Sequence, residues 1–296
     1  MILVTGATSF VGQYLVNKLV DEGHSIRIIT RNRSYKLPVS VNIEIKICDI
    51  RFNLNDALEE IDTVIHLAAA TSASSATTPL EYYQTNVEGT SLLINECIKR
   101  GIKRFIYISS SVVDYPDLKD DYSNSKRQAE LLVQSSTLNW TILRPSEILG
   151  AKKEWEALKK LLKQKIILWI FGKGDYYRHP VYYKDIVFAI LAVLYNKKTE
   201  KKIYNISCAN PVTYFEYVRT LREVIKANYI VLKIPELLLK PFIKLRYCFP
   251  YKVQQKLNHL SSIKEDHIND ISTSKNDFLY NPLSFKEMVL DIENKS

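Results

Sequence analysis

The first twelve residues constrain the fold of this chain more than any other stretch. An apolar run of strand length begins at Ile2, the chain turns at Gly6, and apolar residues at helical spacing follow. A strand, a tight turn and a helix in this order point backbone N–H groups and the positive end of a helix dipole at one place, which suits a pyrophosphate. A side chain at Gly6 or Gly12 would block the ligand or the helix. The stretch predicts a dinucleotide-binding turn, with an ordinary strand–helix turn as the alternative.

The distribution of charge separates the two halves of the chain. The 296 residues carry a formal net charge of +9, and 46% of them are hydrophobic, which is typical of a globular protein of one or two domains. Residues 151–296 hold 26 Lys and Arg against 15 Asp and Glu, whereas residues 1–150 hold 15 against 17. The excess could bind nucleic acid, an anionic membrane surface or an anionic small substrate, or be a solvated surface. Because no aromatic and glycine motif of a nucleic-acid module is present, we predict no nucleic-acid partner.

Cysteine spacing and hydropathy argue against several protein classes. The four cysteines stand far apart with no CxxC pair, so we predict neither a metal site nor disulfides, and a reducing cytoplasm suits them. The chain enters its first strand without a basic segment, so no signal peptide is expected. The longest apolar run, residues 186–195, is about half of the roughly 20 residues that a spanning helix needs. A cytoplasmic protein without membrane insertion is therefore predicted.

Strands and helices alternate regularly along the first half of the chain. Further predicted strands are residues 25–30, 43–47, 62–67 and 105–108, and a long helix runs from near Pro79 to before Gly101. Their nearly continuous apolar runs are typical of strands buried on both faces of a parallel sheet. The pattern therefore predicts an α/β fold built on a doubly wound parallel Rossmann sheet.

The end of the second predicted strand bears on the choice of dinucleotide. In a dinucleotide-binding unit this position lies near the adenosine ribose, where a carboxylate would bind the 2′-OH of NAD and an arginine would accommodate the 2′-phosphate of NADP. Arg31 and Arg33 follow the strand, and no carboxylate occurs before Glu44. We therefore predict NADP(H), with Arg31 the better candidate for the 2′-phosphate and Arg33 the second. The alternative is that both arginines lie in a solvated loop and that NAD(H) is bound.

A tyrosine and a lysine four residues apart form the candidate reactive group. Tyr122 and Lys126 precede an apolar helical pattern, and residues four apart share one helix face. Beside a cofactor, the Lys126 ammonium would lower the pKa of the Tyr122 phenol, which could then exchange a proton with a carbonyl or alcohol oxygen. In isolation, such a pair is also expected by chance on the surface of a chain with 19 Tyr. Its position after the fifth strand of the predicted sheet favours the reactive interpretation.

Several short motifs together resemble one enzyme family. The motifs are TGATSFVG (5–12), Asp49, HLAA (66–69), NVEGT (86–90), YISSS (107–111), YSNSK (122–126) and LRPSEILG (143–150). Their order and spacing are similar to those of the extended short-chain dehydrogenases/reductases, the family of nucleotide-sugar epimerases, dehydratases and reductases. Residues 171–191 and 204–207 resemble the carboxyl half of that family.

The resemblance implies a role for individual residues. The catalytic set would be Ser111, Tyr122 and Lys126, with Ser111 chosen among three serines because it stands four residues before Tyr115. Ser111 would also contact the substrate, and Tyr122 and Lys126 the cofactor. The remaining implied cofactor contacts are Gly6, Ser9, Phe10, Val11 and Gly12 at the pyrophosphate, Asp49 and Ile50 at the adenine, and Ala68 and Asn86 along the cofactor.

Two implied substrate contacts lie in or near the second half. By resemblance, Arg178 would reach the diphosphate of a nucleotide sugar, and an ion pair with Asp185 is the alternative. Glu147 stands where many family members carry an asparagine that touches the sugar nucleotide. A second departure from the family pattern is Ser9, which replaces a glycine.

The pattern becomes less regular beyond Gly150, where we place the domain boundary. Residues 1–150 are predicted to form the NAD(P)-binding Rossmann domain, with later segments around 166–206 returning to it. Residues 151–296 would form mainly a smaller, mostly helical substrate-binding domain. Residues 236–260 are apolar and basic, and would be either a membrane-surface element or, as the resemblance implies, part of the substrate cover.

These observations lead to one main functional hypothesis. We predict an NADP(H)-dependent oxidoreductase that reduces a 4-keto group of a nucleotide-linked sugar, with Tyr122 as proton donor. The alternatives are an NAD-dependent 4-epimerase or dehydratase, an NADPH-dependent reductase of a small ketone or aldehyde, and a non-catalytic dinucleotide sensor. A homodimer is left open.

Overall fold

The computed structural model describes residues 1–31, 42–52, 54–71, 78–118, 120–235 and 266–295. Arg33 and the 236–260 segment lie outside these residues. The chain divides into two compact units. The first unit comprises Met1–Pro145, Ile186–Ile206 and Ile271–Tyr280, and the second comprises Ser146–Asp185, Ser207–Asp270 and Asn281–Ser296. Of the 166–206 stretch expected to return to the Rossmann domain, the part from Ile186 lies in the first unit.

A seven-stranded parallel sheet forms the centre of the first unit. The strand order is β11-β6-β5-β4-β1-β2-β3, so that the chain winds outward from β1 in both directions. The predicted doubly wound parallel Rossmann sheet is thus confirmed. Its strands are β1 (Ile2–Thr5), β2 (Ile26–Thr30), β3 (Ile43–Ile47), β4 (Thr63–His66), β5 (Arg104–Ile108), β6 (Asn139–Pro145) and β11 (Lys202–Ile206).

Helices of the first unit pack apolar faces against this sheet. The buried positions of α1 are Gly12, Leu15, Val16 and Leu19, which recur at the spacing of one helix face. The helices are α1 (Phe10–Asp21), α2 (Pro79–Tyr82), α3 (Gly89–Lys99), α4 (Asp121–Ser135), α6 (Tyr183–Leu194), which begins in the second unit, and α8 (Ser272–Phe278).

The long helix predicted after Pro79 is interrupted in its middle. A wider π-helical turn, Tyr83–Glu88, joins α2 to α3, and Asn86 is buried within it. Short π-helical turns of this kind are frequent at functional sites. Asn86 therefore lies in a type of turn that is frequent at functional sites.

The second unit has its own apolar core. Trp155, Ile170, Leu221 and Met288 are among the buried side chains that form it. Its helices are α5 (Lys152–Gln164), α7 (Tyr214–Ile225) and α9 (Phe285–Asn294); capping boxes at Thr213 and Ser284 begin the last two. Its strands pair as β7 (Ile148–Leu149) with β10 (Val181–Tyr182), β9 (Tyr177–Arg178) with β12 (Val212–Thr213), and β8 (Ile167–Phe171) with β13 (Ile230–Ile234).

The described residues form neither a membrane-spanning helix nor a cluster of metal ligands. None of the helices there is both long and apolar enough to cross a membrane. The same residues contain no group of three or more His, Cys, Asp or Glu side chains placed to hold a metal ion.

Candidate active site

The glycine turn between β1 and α1 brings two strand ends close together. Gly6 has a φ of +72°, and a Cβ atom there would lie 2.6 Å from the backbone nitrogen of Ala68, which follows β4. A Cβ at Gly12 would overlap the Gly6 carbonyl oxygen and lie 2.8 Å from the Ala7 Cα. Both positions therefore require glycine for the close approach of backbone to backbone.

The amino end of α1 is suited to an anion. Ser9 is the N-cap, and its side-chain oxygen accepts a hydrogen bond of 3.1 Å from the Gly12 N–H. The serine that departs from the family pattern thus caps the helix. Phe10 and Val11 begin the helix, and its first turn carries no acidic side chain. The positive end of the dipole is consequently not neutralised by a neighbouring carboxylate of that turn, which fits a dinucleotide diphosphate.

Charged side chains cluster at the ends of β2 and β3. Arg51 binds Asp49 through both carboxylate oxygens, with distances of 2.6 to 3.1 Å, and exposed Arg31 lies 4.0 Å from the same carboxylate. Burial acts to raise the pKa of Asp49. The hydrogen bonds from Arg51 and the positive charges of Arg51 and Arg31 outweigh this effect, so the pKa of Asp49 is lowered. The adjacent Ile50 side chain is buried in the core of the first unit. Arg31 thus shares its anionic neighbour with Arg51.

A buried hydrogen-bond chain links the ends of β1 and β4 to α3. The Ala68 N–H donates to the Thr5 hydroxyl at 3.2 Å, and that hydroxyl lies 2.6 Å from Nδ1 of His66. His66 Nε2 lies 3.0 Å from the Thr90 hydroxyl, which donates to the Asn86 carbonyl at 2.7 Å. Burial, assisted by the positive charge of Lys126, lowers the pKa of His66 to about 3. His66 is therefore neutral near pH 7, with its proton on Nε2.

The Asn86 side chain continues this chain to α4. Its amide nitrogen donates to the Ala70 carbonyl at 3.0 Å and to the Ser125 hydroxyl at 2.9 Å, and its oxygen accepts from the Ala70 N–H at 2.7 Å. Ser125 in turn donates to the carbonyl of Tyr122 at 2.7 Å. The amide of Asn86, implied as a cofactor contact, is thus bonded within the protein and joins β4 to the helix that carries Tyr122.

Lys126 and Tyr122 occupy one face of α4, as predicted from their spacing. Buried Lys126 donates to the Ile108 carbonyl at 2.8 Å, and its Nζ lies 4.4 Å from the centroid of the Tyr107 ring. Burial lowers the pKa of Lys126 to about 7, against the opposing negative charge of Glu130. Burial raises the pKa of Tyr122, and a hydrogen bond with the Ser110 hydroxyl opposes that rise. The two groups therefore lie where proton affinity is tuned by burial.

The hydroxyl that the structure brings to Tyr122 is that of Ser110. Ser110 is the last extended residue after β5 and the N-cap of a short 3₁₀ helix, Ser111–Asp114. Ser111, the serine predicted from its distance to Tyr115, starts that helix with a buried side chain. The role of Ser111 stays a prediction. Ser110 is a second hydroxyl near Tyr122, and the spacing to Tyr115 did not indicate it because that spacing does not reveal where the strand ends and the helical turn begins.

Two arginines hold the segment after Ser110 against α4. Arg127 donates to the carbonyls of Val112, Tyr115 and Leu118. Arg144, on β6, binds Glu130 of α4 through two hydrogen bonds of 2.9 and 2.5 Å and also pairs with Asp114. These bonds fix the 3₁₀ helix relative to Tyr122, and no local sequence pattern indicated them.

The second unit contains an aromatic cluster around Arg178. The guanidinium carbon lies 5.5 Å from the Tyr176 ring centroid and 5.9 Å from that of Tyr214, and these two rings stack at 5.1 Å. Tyr214 stacks on Tyr217, whose hydroxyl donates to Glu147 at 3.3 Å. Arg178 and Glu147, the two residues predicted to bind substrate in this unit, thus contact one set of stacked tyrosines.

Comparison with known proteins places this geometry in a family. Residues 2–207 match the model of the NAD dependent epimerase/dehydratase family. A dTDP-D-glucose 4,6-dehydratase of Mus musculus is 29% identical over 259 residues, covering 76% of this chain and 73% of the mouse protein. An N-acetyl-alpha-D-glucosaminyl-diphospho-ditrans,octacis-undecaprenol 4-epimerase of Escherichia coli O157:H7 is also 29% identical, over 226 residues, covering 69% of this chain and 66% of that protein.

Solved structures show the same fold. A UDP-glucose 4-epimerase from Thermotoga maritima, crystallised with UDP-glucose, superposes with a TM-score of 0.74 at 22% identity, over 99% of this chain and 97% of the other. The resemblance inferred from the motifs is confirmed, since the family model spans more than two thirds of the chain. The glycine turn, the Tyr122–Lys126 pair and this match together identify the chain as a member of the NAD-dependent epimerase/dehydratase family.

Proposed function

We propose that this protein is an NAD-dependent epimerase of a nucleoside-diphosphate sugar, with Tyr122 as its general acid and base. The observation that carries the proposal is the placement of Tyr122 and buried Lys126 one turn apart on α4, with Lys126 bonded to the carbonyl at the end of β5 and Ser110 near the phenol. In this arrangement a phenol, a hydroxyl and a cation can act on one substrate oxygen.

The residues around the glycine turn fit the dinucleotide. Gly6, Gly12 and the capped amino end of α1 would hold its diphosphate, since the first turn of that helix has no acidic side chain. Asp49 would bind the adenine. When bound, the nicotinamide supplies the hydride acceptor and donor for a sugar carbon.

Tyr122 would exchange the proton of the sugar hydroxyl. As the carbon is oxidised, the Tyr122 oxygen takes up that proton, and it returns the proton when the carbon is reduced. Ser110 would donate a hydrogen bond to the same oxygen, and the Lys126 cation would favour the phenolate. Because the pKa of Lys126 is lowered by burial to about 7, a substantial fraction carries this charge near neutral pH.

The short helix after Ser110 adds no free acid or base, and for this reason we propose an epimerase rather than a dehydratase. Elimination of water requires a base at the carbon and an acid at the departing hydroxyl, in addition to the group that serves the oxidised hydroxyl. The two positions after Ser111 are Val112 and Val113, which cannot transfer protons, and the following Asp114 is paired with Arg144.

One observation favours a second candidate, an NADP(H)-dependent 4-keto reductase. Arg31 is exposed at the end of β2, where it could bind a 2′-phosphate. Its neighbour Asp49, at 4.0 Å, would repel such a phosphate, so Arg31 supports NADP(H) less strongly in the structure than in the sequence.

The cluster around Arg178 would recognise the nucleotide portion of the substrate. Its guanidinium could pair with a diphosphate, and the stacked rings of Tyr176 and Tyr214 could pack against a base. Glu147, an anion, would favour a donor group of the ligand. A homodimer and a cytoplasmic location stay predictions.

Substrate conversion tests the proposal directly. We would incubate the purified protein with UDP-glucose, UDP-N-acetylglucosamine or dTDP-glucose and follow the anomeric and ring protons by NMR, with NAD or NADPH added in parallel. An epimerase converts one of these sugars without net change in nicotinamide absorbance. Net oxidation of NADPH by a 4-keto nucleotide sugar would establish the reductase instead, and reduction of a small ketone that free UDP does not inhibit would exclude a nucleotide-sugar enzyme.

Variants at Tyr122 and the two serines separate chemistry from binding. Tyr122→Phe should lower turnover by about 10²–10⁴-fold, with dinucleotide affinity measured by fluorescence titration nearly unchanged. Ser110→Ala should lower turnover more than the matched Ser111→Ala, because Ser110 contacts the phenol. Full activity in Tyr122→Phe would refute the role of this residue. A larger loss of turnover in Ser111→Ala than in Ser110→Ala would show that Ser111, the serine predicted from spacing, is the catalytic one.

A further inference from the structure

The ribbon formed by β8 and β13 in the second unit has two different apolar faces. The strands run parallel, with Ile167 opposite Ile230 and Trp169 opposite Leu232. Since alternate residues of a strand point to opposite faces, these four side chains share one face. The other face includes Leu168 and Ile170, which pack into the core of the second unit.

The face opposite the core is open to solvent. Trp169 is 51% exposed and Ile230 is 61% exposed, and Leu232 is also exposed. Ile166, whose carbonyl accepts the Ile230 N–H, is 77% exposed at the start of the ribbon. A contiguous apolar patch of this kind is unusual on a protein surface and marks a contact with another phase or molecule.

Lysines accompany this patch along the chain. Residues 152–171 and 226–234, which contain α5 and both strands, carry eight Lys against two Glu. Lys159 is paired with Glu156 and Glu293. Lys163 and Lys165 directly precede Ile166 and are exposed. Positive charge beside exposed tryptophan and aliphatic side chains complements an anionic lipid surface, where the ring enters the interface and lysine stems extend toward the headgroups.

We propose that the outer face of the β8–β13 ribbon, together with the exposed Lys163 and Lys165, is a docking surface for an anionic lipid bilayer. The contact is peripheral, because only side chains of a two-stranded ribbon would enter the interface. The proposal is independent of the reaction assigned to the first unit. An electrically neutral protein groove or a second copy of this equally basic chain would leave the lysines unmatched, which is why lipid is the occupant inferred.

Trp169 reports the contact without a label. The chain has three tryptophans, and the other two, Trp140 and Trp155, are buried. Vesicles of phosphatidylcholine alone or with added phosphatidylglycerol would be titrated into the purified 296-residue protein. We expect a blue shift of the Trp169 emission and co-sedimentation with the anionic vesicles but not with the neutral ones. Added salt should weaken both effects. No shift and no co-sedimentation would overturn the proposal.

Matched variants locate the surface. Trp169→Gln with Leu232→Gln should abolish co-sedimentation, whereas Leu131→Gln, at a residue that is 65% exposed in the first unit, should leave it unchanged. Lys163→Gln with Lys165→Gln should weaken vesicle binding about thirtyfold, from about 1 kcal/mol for each lysine near the bilayer.

Other occupants give different results. Sedimentation velocity would reveal a second copy, as dimers that the Trp169→Gln and Leu232→Gln variant dissociates. Iodide quenching of Trp169 in the free protein would be weak if another part of the chain covered the ring. Either result would contradict a lipid-facing ribbon, as would equal binding to neutral and anionic vesicles.

Discussion

The two units hold their candidate functional side chains by different means. In the first unit, Tyr122 is positioned through short polar side chains that are almost completely buried, among them His66 and Asn86. In the second unit, Arg178 lies on stacked tyrosine rings, and Glu147 stands at an exposed position. A buried network fails as a whole when one partner is lost, whereas stacked rings tolerate the loss of a polar group. Substitutions should therefore couple stability to function in the first unit and separate them in the second.

The largest effect on stability is expected at the glycine turn. Gly12→Ala would place a Cβ against the Gly6 carbonyl and 2.8 Å from the Ala7 Cα, both backbone atoms that cannot move aside cheaply. We expect a loss of about 3 kcal/mol or more in the free energy of unfolding, measured by urea denaturation, together with loss of dinucleotide binding.

Gly23→Ala is the matched control for this variant. Gly23, unlike Gly12, has a positive φ, and a Cβ there meets no atom within 4 Å, so only about 1 kcal/mol of backbone strain is expected. If both variants lose the same stability, close packing at Gly12 is not what the turn requires.

A somewhat smaller loss is expected when the buried network is opened at Asn86. Asn86→Ala removes its three hydrogen bonds and leaves the Ala70 N–H and carbonyl unpaired in the interior. The free energy of unfolding should fall by about 2–3 kcal/mol, and turnover should fall with it because α4 loses an anchor. Asn124→Ala, at an exposed position of the same helix, should change stability by less than about 0.5 kcal/mol. Unchanged turnover in the destabilised Asn86 variant would show that the network supports folding alone.

In the second unit, a pH-dependent effect is expected at Asp185. Burial raises the pKa of this carboxyl from its ordinary 3.8 to about 6, against a hydrogen bond from the Leu283 N–H. A raised pKa means that the folded state holds the proton more tightly. The resulting stability is complete below the ordinary pKa and is lost as the pH rises through about 6.

Asp185→Asn should remove this pH dependence. Relative to the variant, the unmodified protein should lose about 2 kcal/mol of stability between about pH 4 and pH 8. Urea denaturation of both proteins, followed by tryptophan fluorescence, measures this difference in stability. A constant difference between the two proteins across this range would show that Asp185 does not titrate as inferred.

The smallest effect is expected at Tyr217. Tyr217→Phe removes a 3.3 Å hydrogen bond to exposed Glu147 but keeps the ring, which stacks on Phe285 at 4.6 Å. The free energy of unfolding, measured by thermal denaturation, should fall by less than about 1 kcal/mol, and the affinity for UDP should change only a few fold. A loss as large as that of Asn86→Ala would contradict the proposed difference between the two units.

The sheet of the first unit was largely predictable from the sequence. β1, β2 and β4 are buried at every position, so each of them leaves a short run of mainly apolar residues. The edge strand β3 is partly exposed, and its bounds coincide with the predicted 43–47. The positions of Tyr122 and Lys126 followed from helical spacing. Ser110 did not, because neighbouring side chains at a strand end alternate in direction, and a shift of one residue exchanges one hydroxyl for another.

Long-range contacts explain most of what the sequence did not reveal. Thr5 and His66 are 61 positions apart, and Asn86 and Ser125 are 39 apart, so no local pattern pairs them. The tyrosine cluster joins Tyr176 to Tyr214 through folding of the second unit, and ring stacking has no sequence period. Local patterns indicate which element a residue occupies, whereas side-chain partners depend on how those elements pack.

The chain of hydrogen bonds through His66 has a fixed direction. It ends at the Asn86 carbonyl, which has no proton to give, so every hydroxyl and imidazole in it has only one arrangement. Proton conduction needs each member to pass one proton on and receive another, and a terminal carbonyl prevents this. The buried network therefore does not conduct protons. A proton that Tyr122 gains or loses therefore does not pass through His66.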